Sequence, residues 1–491
     1  MKRRLSALLG FTVIFCVAIC VLPFIGCDGG GDGNGSSGGT IEVYVSTSGS
    51  DSNDGSKDSP LATIQAALQK KSDENAVSAE IYVAGGTYSI LSDGFFFDRD
   101  EIQGGYSADF NDRDIALYKT TIKDTRLSGT WPTAVTLEDS TMEGFTIKGA
   151  DGTETSRAVS ILDSATFKYN TVQGGAATSG TDGIAINGVN NTIKYNTIIG
   201  GDAASGSTVA MFLDACYPDT IVEENSIYSG DGITCIGIYI KNSDSIIIRN
   251  NFVYGGYGDY NNGNSGTRGI AMYSSSGVIE ENTIHGGENS NYSTAIIVSL
   301  ASNPFVRNNI IYGGDPTIDS RGIQCDNSST GFIANNSICA GTGGNSLGIQ
   351  LSLGAAPEII NNIVFVAGGS GKYCIYLLDA TAGPAKLYNN DLWSTGGATY
   401  LYDHGTPYAT IASVNLLPYA SANIDADPAF VSQNGSDGDI SELEDNDWHL
   451  SAGTPTAVKN GGSDILSGFF SYDKDGAARS VPWSIGAYER N

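Results

Sequence analysis

The 491-residue chain is poor in the residues from which most metal and nucleic-acid sites are built. It has three His, four Met and four Trp, and its 26 Lys and Arg against 54 Asp and Glu give a formal net charge of −28. The three histidines, at 285, 404 and 449, lie far apart in the sequence, so we predict no histidine-based metal site. The acid excess argues against nucleic acid or an anionic lipid surface as a partner. We expect no cofactor, with calcium as the open alternative.

Cysteine is also scarce in the part of the chain that would fold. Three of the eight, Cys16, Cys20 and Cys27, belong to an apolar N-terminal segment, and the other five lack the spacing of a metal site. We expect those five to be small buried thiols. The open alternative is a disulfide between Cys216 and Cys235, which fall near the ends of neighbouring strands.

The N-terminus has the form of a secretory signal followed by a tether. Three basic residues at 2–4 precede an apolar run over residues 5–25. The junction Gly26-Cys27 resembles the lipobox of bacterial lipoproteins, with Phe24 where Leu is usual, and this implies lipidation of Cys27. An uncleaved membrane anchor is the alternative. We therefore assign 1–27 to signal peptide and lipobox and the Gly/Ser-rich 28–40 to a tether. The protein is expected in the bacterial cell envelope, at the outer membrane or surface rather than the inner membrane, touching the bilayer through its lipid only.

A short phrase recurs nine times in the centre of the chain: an apolar run, an Asn, a second apolar run, then Gly-Gly or a near equivalent. The asparagines are Asn170, Asn196, Asn225, Asn251, Asn282, Asn309, Asn336, Asn362 and Asn390. A repeat of this length, made of short β runs without a helical pattern, indicates a solenoid.

A third apolar run lies upstream of each Asn and completes the repeat. Examples are Gly183-Ile-Ala-Ile and Gly237-Ile-Tyr-Ile, whose alternation is typical of a half-buried strand. Three strands per coil with parallel pairing predict an all-β, single-stranded right-handed parallel β-helix of about nine clear coils. The asparagines would then form a ladder inside one tight turn, amide to amide, in the left-handed conformation that Asn tolerates.

Both ends of such a stack need covering. A helix with Ser59 as N-cap and Pro60 at its first position would cover the first coil. We assign 41–150 to the N-terminal cap and first coils, 151–400 to regular coils, and 401–491 to the last coils and an irregular C-terminal cap. Within that cap we expect Asp475 to pair with Arg479, and His449 to serve packing.

The two ends of the folded part resemble a known group. The segments Tyr44–Gly55, Pro60–Leu68 and Ile81–Tyr88 look like the start of many bacterial pectate-lyase-like β-helix proteins, including a domain family of unknown function. The ending, with Ile485-Gly-Ala-Tyr-Glu489, is similar to the choice-of-anchor type. The resemblance implies the β-helix fold. It also implies that a uronate lyase would carry acidic calcium ligands and an Arg or Lys base on the outer face of the leading strand.

That outer face offers one acid–base group. Asp214 and Lys241 fall on neighbouring coils, with Arg268 at the start of the next. A Lys or Arg of lowered pKa could take a proton next to a uronate carboxylate. A single Asp supplies too few oxygen ligands for calcium, which takes six or more. A surface ion pair between Asp214 and Lys241 is the simpler interpretation. Arg157, Arg268 and Arg321 fall at equivalent positions of separate coils, and we interpret them as solvated charges at the edge of the sheet.

Aromatic and amide side chains are more frequent on the same face. They are Phe212, Tyr239, Tyr273, Gln324, Gln350 and Tyr376. Such groups suit a neutral or weakly charged glycan. Two functions therefore remain: a lipid-anchored, non-catalytic β-helix that binds glycan or serves as a surface scaffold, or, alternatively, a polysaccharide (uronate) lyase. We expect a monomer.

Overall fold

The computed structural model describes residues 38–490 except 260, 264, 367 and 395. The predicted signal segment, the lipobox with Cys27 and most of the tether lie outside the described residues. In the part that is described, no helix combines the length and the apolar character needed to cross a membrane.

Three long sheets run side by side, and each coil of the chain adds one strand to each sheet. Sheet I contains Thr40–Val45, Ser78–Ala84, Glu101–Tyr106, Thr141–Glu143, Thr166–Lys168, Thr192–Lys194, Ile221–Glu223, Ile246–Arg249, Ser276–Glu280, Asn303–Arg307, Phe332–Ala334, Glu358–Ile360, Lys386–Tyr388 and Ala420–Ser421. Sheet II contains Gly86–Ile90, Thr120–Asp124, Phe145–Lys148, Thr171–Gln173, Thr197–Ile199, Ser226–Tyr228, Phe252–Tyr254, Thr283–His285, Ile310–Tyr312, Ser337–Cys339, Ile363–Val366 and Asp391–Ser394.

Sheet III holds the longest strands and leads each coil. It contains Phe95–Asp98, Thr133–Glu138, Thr153–Ile161, Ala177–Gly188, Ser207–Cys216, Thr234–Lys241, Gly266–Tyr273, Tyr292–Ser299, Asp319–Cys325, Asn345–Leu351, Gly371–Leu377, Thr399–Asp403 and Thr406–Tyr408. Its strands pair in parallel until the final hairpin, where Thr399–Asp403 and Thr406–Tyr408 are antiparallel. The predicted three-strand coil is confirmed.

The core follows from the alternation of apolar residues. In one coil the centres of three strands, Ile184, Ile193 and Ile198, are fully buried, and the same positions repeat down the stack. Each such side chain contributes roughly 1.5–3 kcal/mol on burial. One coil cannot enclose this surface alone, so neighbouring coils must stack to bury it.

The asparagine ladder occupies the turn between sheets I and II. From Asn170 to Asn390, the backbone N–H of each donates to the Oδ1 of the next at 2.9–3.1 Å. The ladder extends one rung beyond the prediction, to Asn423. The expectation that these asparagines are left-handed is wrong, because the positive φ belongs to the residue before each, such as Tyr169 (56°) or Glu281 (59°). That residue turns the chain, and the Asn points inward.

The helical cap lies where the sequence indicates but begins later. The helix is Ile64–Asp73, and the Thr63 hydroxyl accepts from the Ala66 amide at 3.1 Å, so the prediction of Ser59 as N-cap is wrong. Leu61 instead bonds beside the first strand, donating to the Tyr44 carbonyl at 2.9 Å. At the other end, the helix Ile411–Val414 closes the core.

Residues 424–490, here called the lateral segment, run back along the corner between sheets I and II. The segment contains the antiparallel pair Phe430–Ser432 and Asp447–Leu450 and the helix Thr456–Lys459. Four side-chain amides in the left-handed column hold its carbonyls: Asn308 (2.8 Å to Tyr472), Asn335 (3.3 Å to Ser484), Asn361 (2.8 Å to Ser463) and Asn389 (2.8 Å to Gly461). Asparagines thus serve two columns, one inside the turn and one outside it.

The pairing expected within this segment is wrong. Buried Arg479 faces Glu489 at 3.6 Å and donates to Asn308 Oδ1 at 2.8 Å. Asp475 bonds to His449 Nε2 at 2.7 Å. Burial favours the partner that reaches the guanidinium inside the segment, whereas Asp475 stays at the surface.

All five cysteines outside the signal region are buried, and Cys216 and Cys235 form no disulfide. Burial raises the pKa of each of these two thiols to about 12. The expectation of small buried thiols is confirmed.

Candidate functional site

The outer face of sheet III carries three columns of side chains along the stack. The middle column contains Phe212, Tyr239, Gln324, Gln350 and Tyr376 in register, and continues to Tyr402. A second contains Asp214, Lys241 and Tyr273. A third, towards the strand starts, runs through Arg157, Asp182, Val209, Ile236, Arg268, Thr294, Arg321, Leu347 and Tyr373. The register thus places the predicted residues on one face.

The predicted aromatic residues form two separate groups. Phe212 stacks on Tyr239 at 5.1 Å, and Tyr239 meets the edge of Tyr273 at 5.4 Å. Tyr376 stacks on Tyr402 at 5.0 Å, a partner that sequence reasoning missed because the repeat weakens there. Tyr273 and Tyr376 are four coils apart, about 19 Å at the usual strand spacing. A sugar ring therefore meets one group or the other, and a longer chain is needed to reach both.

The two predicted amides are already engaged. Gln324 donates to Asp326 Oδ2 at 2.8 Å. Gln350 is buried, and its Oε1 accepts from Arg321 Nε at 2.7 Å. These side chains fix their neighbours, so the expectation that they act as free donors for a ligand does not match their bonding.

Two of the three column arginines are not solvated edge charges. Arg157 pairs with Asp182 at 2.7 Å and lies 5.1 Å from the Trp131 ring. Arg321 pairs with Asp319 at 2.5 Å, and burial lowers the pKa of its guanidinium. Close packing along the parallel strands brings each guanidinium to a carboxylate on the same or the next coil, which a one-dimensional reading of the column does not show.

Arg268 differs from them. Ten arginines lie among the described residues, and nine form an ion pair with Asp or Glu; Arg268 is the exception there. Its side chain is half-buried. Burial and Tyr273 raise the pKa of Tyr239, and the charge of Arg268 opposes this. A guanidinium therefore lies near Tyr239 without a protein counter-ion among the described residues.

Asp214 and Lys241 form the surface ion pair expected from the simpler interpretation. The Lys241 Nζ lies 3.7 Å from Asp214 Oδ2, and Asn242 also donates to Asp214 at 3.0 Å. Arg268 pairs with Ile236 of the preceding strand, five residues before Lys241. Five residues of strand span about 16 Å, so the structure does not bring Arg268 to this pair.

A groove of about 450 Å³ opens at the Gly-Gly corner between sheets II and III. Its lining includes Asp202, Asp231, Asp259 and the exposed ring of Tyr257. Burial and the charge of Asp202 raise the pKa of Asp231. This acidic groove repels carboxylates, so it and the Arg268 face suit different ligands.

The structure also brings together a histidine and two carboxylates that sequence reasoning missed. One ring nitrogen of His285 and one oxygen each from Glu288 and Asp315 lie within 4.8 Å of one another. His285 ends a strand of sheet II, and the two acids directly follow Gly-Gly on successive coils. The prediction of no histidine-based site compared histidines only with each other. The usable signal was the equivalent position of the two acids in consecutive repeats.

The comparisons with known proteins agree with the architecture. A family model described as "Right handed beta helix region" matches residues 259–415. The described chain forms a right-handed parallel β-helix. None of the curated proteins matches this chain.

Solved structures with a similar path have low sequence identity. Pectate lyase Pel9A aligns with 16% identity and a TM-score of 0.44, over 93% of this chain and 98% of its own. XylC in complex with xylose has 9% identity and a TM-score of 0.41, over 91% and 98%. The A-module of the Azotobacter vinelandii mannuronan C-5 epimerase AlgE6 has 14% identity and a TM-score of 0.29, over 74% and 94%.

Proposed function

We propose that the protein is a non-catalytic, lipid-anchored β-helix of the bacterial cell envelope that binds a uronate-containing polysaccharide on the outer face of sheet III. The observation that carries this proposal is Arg268. In a chain with 54 acidic residues, every other described arginine has an acidic partner. A guanidinium forms its strongest bonds with carboxylates and remains charged at any relevant pH. The partner of Arg268 is then a carboxylate supplied by the ligand.

The surroundings of Arg268 suit a sugar ring. The next positions along the face carry the small or compact side chains Ala271, Thr294 and Ile297. Tyr239 and Tyr273 rise beside them as half-buried rings. A pyranose placed over this floor has apolar contact below, ring edges on one side and a guanidinium for its carboxylate. Rings and a few placed polar groups are the usual composition of such sites.

The net charge limits which polysaccharides fit. A chain of −28 repels a dense polyanion at long range, whereas a contact with Arg268 acts at short range. Exposed charges separated by more than about 10 Å are largely screened at 0.1 M salt. A glycan with uronates spaced by neutral sugars gains the contact and avoids most of the repulsion. This agrees with the weakly charged ligand inferred from the aromatic strip.

The lyase alternative requires an unprotonated base close to the sugar carboxylate's neighbouring carbon. The Lys241 amine is engaged in an ion pair with the Asp214 carboxylate, with Nζ 3.7 Å from Oδ2, so it is not free to face a sugar carbon. The arginine that would neutralise the substrate lies about 16 Å away along the strand. Binding without cleavage therefore fits this face better than elimination does.

The test is a binding titration with a matched set of variants. Purified protein is titrated with oligosaccharides of alternating uronate and neutral sugars, and with their carboxyl-reduced counterparts. Arg268→Gln should weaken binding of the acidic form about tenfold or more, since a hydrogen bond to a charged group contributes roughly 1.5–3 kcal/mol. It should leave the reduced form unchanged. Arg249→Gln removes a guanidinium from sheet I and is the control.

Absorbance of unsaturated uronates is followed in the same samples. Product formation by the wild type that disappears in Lys241→Gln would replace this proposal with the lyase. Equal affinity for acidic and reduced glycans, or no loss in Arg268→Gln, would remove the role of Arg268. Binding of the acidic glycan that weakens as salt is added would support that role, because salt screens the attraction between Arg268 and the ligand carboxylate.

A further inference from the structure

The His285 cluster lies away from the Arg268 face, at the junction of sheet II with the Gly-Gly corner. The imidazole ring sits between Tyr254 and Tyr312 of the neighbouring coils, each 4.9 Å from it between centroids. His285 is 2% exposed. Neighbouring coils thus fix the ring in one place. Glu288 and Asp315 reach it from the following turns of its own and the next coil.

The buried ring nitrogen His285 Nε2 has no hydrogen-bond partner among the described residues. Buried polar groups are nearly always paired, so this exception needs an explanation. Burial, and after it the charge of the neighbouring Glu288, raise the pKa of Tyr254, whose ring packs against His285.

The carboxylates themselves lack a cation. No lysine or arginine of the described residues forms an ion pair with Glu288 or Asp315. Asp315 accepts from the Tyr312 hydroxyl at 2.6 Å and from Thr342. The charge of Asp439 in the lateral segment also acts on both acids and on His285. Three carboxyl groups and an imidazole nitrogen without a hydrogen-bond partner therefore converge, and no lysine or arginine among residues 38–490 that the structure describes pairs with Glu288 or Asp315.

We propose that His285, Glu288 and Asp315 bind a divalent transition-metal ion, with Zn²⁺ as the best fit. One imidazole nitrogen and two carboxylates form a mixed set that suits Zn²⁺ or Mn²⁺, whereas Ca²⁺ takes oxygen ligands almost exclusively. Ligand atoms around tetrahedral Zn²⁺ lie about 3.4 Å apart, given bonds of about 2.1 Å. The 4.8 Å limit of the cluster thus asks for side-chain shifts of about an ångström.

The hydrogen bonding of His285 dictates one proton movement. Its Nδ1 accepts from the Gly287 amide at 2.8 Å, so the neutral ring carries its proton on Nε2. An ion that binds at Nε2 needs the lone pair of that nitrogen, so the proton must leave Nε2, and Nδ1 takes it up. The Gly287 amide must then turn away from Nδ1, and Gly287 has a φ of +104°, in the left-handed region that glycine adopts without strain. No net charge enters the ring.

The binding test uses the whole folded chain after metal removal by chelation. Zn²⁺, Mn²⁺ and Ca²⁺ are titrated separately, and bound metal is counted after dialysis. We expect one Zn²⁺ per chain. Glu288→Gln and Asp315→Asn, which keep size and an acceptor oxygen, should each weaken it at least tenfold. Asp259→Asn, an acid of the same corner outside the cluster, is the matched control and should bind as the wild type does.

A second measurement distinguishes this site from any acidic patch. With three histidines in the chain, ¹⁵N spectra should show the His285 tautomer change from Nε2–H to Nδ1–H on adding Zn²⁺. Absence of stoichiometric Zn²⁺ or Mn²⁺ binding would overturn the proposal. So would Zn²⁺ binding that survives both variants, or Ca²⁺ binding that leaves the His285 tautomer unchanged. Loss of binding in both variants with a retained tautomer change in Asp259→Asn supports it.

Discussion

Replacing the central ladder residue Asn282 by Ala should destabilise the protein far more than its size suggests. The Asn282 side chain is fully buried. Its Oδ1 accepts from the backbone amide of Asn251 at 2.9 Å, and its Nδ2 donates to the Ile248 carbonyl at 2.9 Å and to Asn309 at 3.1 Å. Alanine removes all of these bonds at once.

The magnitude follows from the groups left without partners. Asn309 keeps the backbone amide of residue 282, so two backbone groups lose their bonds: the Asn251 N–H and the Ile248 carbonyl. A buried group that is left without a hydrogen-bond partner costs about 1–3 kcal/mol, which gives about 2–6 kcal/mol for the two groups exposed by the substitution. The ladder is continuous, and coils interact only with their neighbours. The damage should therefore divide the stack at this point.

Urea unfolding followed by circular dichroism measures this effect. We expect a lower midpoint and a second transition, because coils on the two sides of residue 282 then unfold separately. The control is Asn250→Gly, at an exposed left-handed position of the neighbouring coil, which should change stability by less than about 0.5 kcal/mol. A loss below about 1 kcal/mol in Asn282→Ala, with a single transition, would refute the reasoning about stranded backbone groups.

Three further predictions concern other parts of the chain. Thr63→Ala should lower stability by about 1 kcal/mol because the N-cap bond of the first helix is lost, measured by thermal unfolding. Cys27→Ser should abolish incorporation of labelled fatty acid and leave an unprocessed precursor. Burial opposes protonation of His449, but its hydrogen bonds to Asp475 and Asp447 raise its pKa overall. Its contribution to stability is therefore present below about pH 6.5 and is lost as pH rises through the folded pKa, as hydrogen exchange of 447–450 would report.

Each of these has a control. Ser59→Ala should leave unfolding unchanged, since Thr63 rather than Ser59 caps the helix; equal losses would point to a general effect. Labelled fatty acid in the Cys27→Ser protein would contradict the lipobox interpretation. His449→Gln should remove the pH dependence of exchange, and a dependence that persists in this variant would assign it to another group.

The fold was predictable because its chief determinant repeats. The ladder asparagines share one chemistry at a nearly constant spacing, and like residues in a solenoid meet their own copies. The left-handed column was not predictable in the same way, because Tyr169, Glu281 and Asn308 share a conformation but no side-chain chemistry. The lateral segment has no period at all, so its path depends on long-range bonds such as that of Asn308 to the Tyr472 carbonyl.

The candidate sites show the same division. The register of Phe212, Tyr239 and Tyr376 was correct, since alternation alone decides which face a residue occupies. What a residue bonds on that face was not accessible: Gln350 turned out to hold Arg321. Arg268 differs from the other described arginines because it forms no ion pair. That difference becomes visible only when the neighbours of all the other arginines are known.

The lateral segment makes the length of this protein adjustable at one end only. Its bonds to Asn308, Asn335, Asn361 and Asn389 fall on four consecutive coils, so adding or deleting a coil there would displace every later bond by about 4.8 Å. The coils before Glu281 make none of these four bonds. We expect whole-repeat duplications to be accepted in the N-terminal half, lengthening the molecule, and to prevent folding of the C-terminal half.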